Sequence, residues 1–206
     1  MSVPMALVDF IPVFLFLISS VTIQRGLYDR MSKGAFALLS AGTIMVFCAG
    51  FMKACWKLLY GAGICDFERL NQAFMPMQAI GFLLAGVSVI ALLFFKQEKN
   101  MRAAAVGVPA VFSGTMIFVA FMVLDSLGFC GGLGVYAARE KNKKAAVLFW
   151  ASFVLFLMMG YLSSRDFTKA SMNWIAEGVN LVAQLSLYTA SKEMFKNERI
   201  GFKETA

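Results

Sequence analysis

Long apolar runs separated by short charged clusters set the rhythm of the chain, and the charge-free stretches predict helices that cross a bilayer. A crossing helix needs about 20 apolar residues. The first run covers 3–23, with Asp9 as its one charge. No basic segment precedes it and no small-residue cleavage site follows, which predicts a retained helix and not a removed signal peptide. The second run, 34–60, is charge-free to Met52 and continues through Lys53 and Lys57; the third is 70–95. The fourth, 103–138, is apolar except for Asp125. At about 1.5 Å per residue it is too long for one upright span and too short for two. It reads as a long or tilted helix broken near Gly128, Gly131, Gly132 and Gly134, with a short re-entrant piece after Asp125 as the alternative. The fifth run is 145–164 and the sixth 172–191, where Glu177 is the one charge. The predicted fold class is therefore all-α: a polytopic membrane helix bundle of about six transmembrane helices, one integral membrane domain over residues 1–206.

A faint internal repeat accompanies these runs. Lys33-Gly34-Ala35 through Ala49-Gly50-Phe51 aligns, shifted by 110 residues, with Lys143-Lys144-Ala145 through Met159-Gly160-Tyr161, and Asp66-Phe67 has an echo in Asp166-Phe167. Two contiguous halves of three helices would face opposite ways across the membrane, the inverted-repeat plan of many transporters.

Composition narrows the classes. The 206 residues are 60% hydrophobic and 15% charged, with a mean hydropathy of +0.73, whereas soluble chains carry about 45–50% apolar and about 25% charged residues. This excludes a separate soluble catalytic or receptor domain of any size. Histidine is absent, which removes the usual zinc and haem ligand and the Ser-His and Cys-His nucleophile pairs. Cys48, Cys55, Cys65 and Cys130 show neither redox nor metal-ligand spacing and read as small buried apolar residues. No catalytic residue, metal site or cofactor is expected, and without a Walker A sequence an ATP-driven step would need a partner. The net charge of +7 comes from 19 basic residues scattered between apolar runs. That pattern suits helix ends at anionic headgroups and not a nucleic-acid patch. With six spans, eleven basic residues fall on the side of both termini and eight on the other, so the positive-inside rule places both termini in the cytoplasm of a cell (plasma) membrane protein.

The polar residues accepted within the apolar runs carry the functional reading, because an ionised group at the bilayer centre costs roughly 2.5–3.5 kcal/mol on insertion scales. Asn173, Glu177, Asn180, Gln184 and Ser191 follow spacings of 4, 3, 4 and 7 and share one helix face. Such a stripe can cement helices through hydrogen bonds of about 0.6 kcal/mol each, or line a hydrated site in which Glu177 meets a cation, a proton or a solute's positive group. Asn71 and Gln78 share a face of the third helix near Pro76, which frees a carbonyl around Gln72 as a ligand or hinge. Asp125, if deep, joins Glu177 as a second acid, and two carboxylates in one cavity compete for ionisation, the physics of a proton-coupled site. Lys53 and Lys57 read as snorkelling to the headgroups beside a Trp56 and Tyr60 belt, the sharper alternative being Lys53 as counter-ion of Glu177 or Asp125 in one conformational state. Phe149, Phe153, Phe156 and Gly160 share a face that packs against other helices or walls a pocket.

These residues predict a small transporter or permeation protein that moves a small solute or cation through a mid-membrane site. Its substrate-binding or coupling residues would be Glu177, Asn180, Gln184, Asn173, Asp125, Gln78 and Asn71. The alternative is a non-catalytic binding or sensing subunit acting with a partner protein. A lipid-modifying enzyme using Asp125 and Glu177 as acid and base is a third class, disfavoured by the lack of a nucleophile motif. Expected partners are the lipid bilayer, the solute, and a second copy or a partner subunit, docked through Arg139 to Lys144 or the C-terminal tail. Gly128, Gly132 and the small residues from Gly42 to Gly50 could serve self-association or internal packing.

Overall fold

The computed structural model describes residues 3–94, 123–124, 126–163 and 170–196, and these are helical throughout apart from short connections. In chain order the elements are α1 (Val3–Val8), α2 (Phe10–Leu27), α3 (Lys33–Gly61), α4 (Glu68–Phe94), a π-helical turn (Leu127–Gly131), α5 (Gly132–Arg139), α6 (Lys143–Ser163) and α7 (Ala170–Met194). Four stretches are long and apolar enough to cross a membrane: Val3–Leu27, Lys33–Gly61, Glu68–Phe94 and Lys143–Leu162. The chain is a multi-pass integral membrane protein.

The first span is interrupted at Asp9, between α1 and α2. Pro12 accounts for the break: it has no N–H to give the Val8 carbonyl one turn earlier, and its ring crowds that carbonyl. Pro76, by contrast, lies inside an unbroken α4. In the glycine-rich stretch after Ser126 the backbone widens and does not break. The Gly132 N–H reaches back to the Leu127 carbonyl, five residues earlier, and α5 follows directly. The part of the fourth run that precedes Val123, and Asp125 itself, lie outside the described residues.

Small residues set the closest helix contacts. A Cβ added to Gly42 of α3 would stand 2.5 Å from the Gly81 carbonyl oxygen of α4, and one on Gly81 2.8 Å from the Gly42 oxygen. The two backbones therefore touch. A Cβ on Gly128 would stand 3.1 Å from the Cα of Gly86, and one on Gly132 2.7 Å from Val89. These glycines thus serve packing within the chain.

The helix ends divide the bundle into two unlike halves. At one end Ser32 caps α3 by accepting from the Ala35 N–H, and Asn142 caps α6 by accepting from the Ala145 N–H while its amide donates to the Glu193 carbonyl of α7. Arg139 donates to the Leu93 carbonyl at the end of α4, and Arg30 donates to the Tyr136 hydroxyl at 2.8 Å. The largest fully buried side chains, among them Phe129, Phe149, Ile23, Leu39 and Leu187, lie toward this end. The opposite half is less densely filled and holds a cavity.

Outward faces are apolar at helical spacing: Leu7, Ile11, Phe14, Ile18 and Val21 on α1 and α2, and Val147, Trp150, Val154, Met158 and Tyr161 on α6. Such faces need lipid around them. Of the cysteines, Cys130 is buried in the π-helical turn, Cys48 and Cys55 are half-buried, and Cys65 is exposed in the α3–α4 connection, against the expectation of buried cysteines. The apolar neighbours of Cys65, Ile64 and Phe67, are themselves exposed there and do not cover it.

Gly42→Ala should lower the thermal midpoint of the detergent-solubilised protein, at the scale of an overpacked core (about 1–3 kcal/mol). Gly178→Ala, where an added Cβ meets nothing within 4 Å, should leave the midpoint unchanged or raise it by up to about 1 kcal/mol of helix propensity. Equal shifts in the two melting curves would contradict backbone contact between α3 and α4.

Candidate functional site

Three charged side chains from three distant parts of the chain meet at the less densely filled end. The Lys57 ammonium contacts Asp9 Oδ2 and donates to Glu177 Oε1 at 2.7 Å. The side chains are 11%, 7% and 13% exposed for Lys57, Asp9 and Glu177, so water screens this triad little. An ionised group withdrawn from water needs an opposite charge beside it. Asp9 is delivered by the break before α2, Lys57 by the last turns of α3, and Glu177 by the second turn of α7. Counted at about 1.5 Å per residue, the triad lies some 6–10 Å inside the helix ends, which is shallower than mid-span.

From the triad a cavity of about 150 Å³ extends inward, lined by Lys53, Gln78, Asn180 and Gln184 as well as by the three charges. Its inner wall is aromatic. Phe82 stands edge-on to Phe16 at 6.0 Å and to Phe156 at 5.9 Å between ring centroids, and all three line the cavity, with Phe16 and Phe82 about 20 Å along their helices from Val3 and Glu68. The Lys53 ammonium rests 3.9 Å above the centre of the Phe74 ring, a cation–π contact that offsets part of its lost hydration. Among the described residues, Asp9 Oδ1, Gln78 Oε1 and Gln184 Oε1 are buried acceptors without a hydrogen-bond partner.

The polar stripe of the last helix divides on folding. Glu177, Asn180 and Gln184 line the cavity; Ser191 is buried at the far end, its hydroxyl bonded to the Tyr188 carbonyl. Asn173 is half-buried and, like Asn71 on α4, lies outside the cavity lining, while Gln78 belongs to it. Asp125 is outside the described residues. Gln72 is exposed and away from the cavity, which removes the carbonyl before Pro76 from the site. Of the aromatic face of α6, Phe156 and Gly160 line the cavity whereas Phe149 and Phe153 belong to the core.

The two lysines part company. Here Lys57 is the counter-ion of Glu177, and Lys53, one turn earlier, lies over a ring, while a pairing of Lys53 with Asp125 falls outside the described residues. The snorkelling reading fails for Lys57 because two carboxylates hold its ammonium inside. The placement of both termini on one side fails as well: Arg30 meets Tyr136 and Glu140, so the segments 25–33 and 139–144 share an end, and Asp9 lies at the cavity end while Glu193 and Phe195 lie at the tied end against Asn142 and Gly26. Asp9 was the missed residue. Its signal was a carboxylate in an otherwise charge-free run, three residues before a proline.

Comparison with protein families, with curated proteins and with solved structures finds no match to this chain.

Removing one member of a buried ionic cluster leaves its partners uncompensated, a loss of about 3–5 kcal/mol. Lys57→Met, which strands two carboxylates, should therefore destabilise the protein more than Glu177→Gln, which leaves the Asp9–Lys57 pair. Adding Asp9→Asn and Glu177→Gln to Lys57→Met should restore much of the lost thermal stability, and a triple variant no better than the single would refute the triad as a coupled unit.

Proposed function

We propose that the chain is a small membrane transporter that moves a small solute or cation through the polar cavity. The observation that carries this reading is the cavity wall itself: a shared ion cluster beside Gln78, Asn180 and Gln184, with acceptors that no protein group satisfies. Helix cement would leave no such acceptors, because buried polar groups in packed interfaces find partners. In this reading Glu177 exchanges Lys57 for the solute or coupling ion, and the amides orient what enters.

Supporting a crossing beyond the four long apolar spans, α7 has 25 residues and presents Trp174, Ile175, Val182 and Leu185 outward, opposite its polar stripe. Its low apolarity comes from the cavity face. The inverted-repeat plan gains no support: α3 and α6, the helices matched by the 110-residue shift, both begin at the tied end, where Arg30 meets Tyr136 and Glu140, and so run parallel and not opposed.

One observation favours the second reading, a binding subunit that hands its solute to a partner. The cavity occupies one half of the bundle while the other half is packed and tied. A through-path would then need helices or a partner to move.

In proteoliposomes Glu177→Gln should abolish ion coupling or solute flux while leaving a folded protein. Wild-type flux in that variant would remove Glu177 from the mechanism; solute binding without flux by the wild-type chain would favour the binding subunit.

A further inference from the structure

The triad leaves part of Asp9 unused. Asp9 is 6% exposed and Gln184 8% exposed, both line the cavity, and each keeps one oxygen without a donor among the described residues; Gln78 Oε1 is a third. Unpaired acceptors on three residues of one wall call for hydrogen-bond donors there, from water or from a solute that displaces it. Lys53 makes the complementary demand. Its ammonium lies over the Phe74 ring, in the same wall, and has no carboxylate within ion-pair distance among the described residues.

Charge balance then selects the class of occupant. Among the described residues of the wall, the formal charges of Asp9, Glu177, Lys53 and Lys57 cancel. A net cation or a net anion entering a poorly hydrated wall would leave one charge uncompensated, whereas a molecule carrying both signs preserves the balance. Resting on the solute-binding reading above, we propose that the cavity takes a small zwitterion bearing an amine and a carboxylate. The amine donates to Asp9 Oδ1 and the glutamine oxygens, and the carboxylate approaches Lys53. A space of about 150 Å³ accepts a body of about benzene size, so the apolar part is short and rests on Phe16, Phe82 and Phe156.

The test uses the full chain in lipid nanodiscs and three matched solutes, followed by titration calorimetry: L-valine, isobutylamine, which is valine without its carboxylate, and isovalerate, which is valine without its amine. Valine should bind at least tenfold more tightly than either half. Lys53→Gln should reduce valine to the level of isobutylamine, and Asp9→Asn should reduce it to the level of isovalerate. Binding of either half as tight as valine, or of none of the three, overturns the proposal, and this comparison on the unaltered chain stands even if a variant does not fold. Valine bound by a chain that shows no flux sinks transport and keeps the zwitterion. Flux of another solute by a chain that binds none of the three does the reverse.

Discussion

One ammonium shared by two carboxylates is the constraint on which the cavity depends. Lys57 joins the turn at Asp9 to the last helix at Glu177, 120 residues from Lys57 along the chain. Each of these charges alone would be expelled from an apolar bundle; together they draw α1, α3 and α7 to a common point. Around that meeting α2 packs against α7, and α1 against α3. Lys57 holds Asp9 through Oδ2, and the other carboxylate oxygen, Oδ1, has no partner among the described residues.

A second constraint acts on the opposite half. There, contact is made by absence of side chain: Gly42 against Gly81, and Gly128 against Gly86. Lipid tails are as apolar as leucine, so membrane helices gain from close backbone approach and from polar links more than from hiding apolar surface. The Arg30, Arg139 and Asn142 bonds fasten the same end. The two halves are thus held by different physics, charge on one side and close packing with hydrogen bonds on the other.

Much of this was legible in the sequence, because apolar run length reports directly on membrane helices. The described helices start and stop within a few residues of the charge clusters, with the expected 34–60 run becoming Lys33–Gly61. The face shared by Glu177, Asn180 and Gln184 was legible because helical spacing is local. What escaped was partnership across the bundle. Nothing in spacing alone says that Lys57 and not Lys53 reaches Glu177, since the two are one turn apart on one face and only the packing of α7 decides between them. Asn173 and Asn71 shared the right faces, but they sit nearer the helix ends, beyond the cavity. Asp9 was the one charge of the first run, and its partner Lys57 lies 48 residues further on, beyond the reach of helical spacing.

The fastened end has a mechanical consequence. A helix as long as α4 extends about 40 Å, so a tilt of about 3° at its tied base carries the far tip by about 2 Å, comparable to the size of an atom. Close fit at the tied end therefore limits how far the cavity ends of the helices can swing. Phe195, buried against Gly26 at the end of α2, belongs to that fit: a methyl group on Gly26 would stand 2.1 Å from its ring, so a single added carbon at one end of the molecule would be magnified along the helices toward the other.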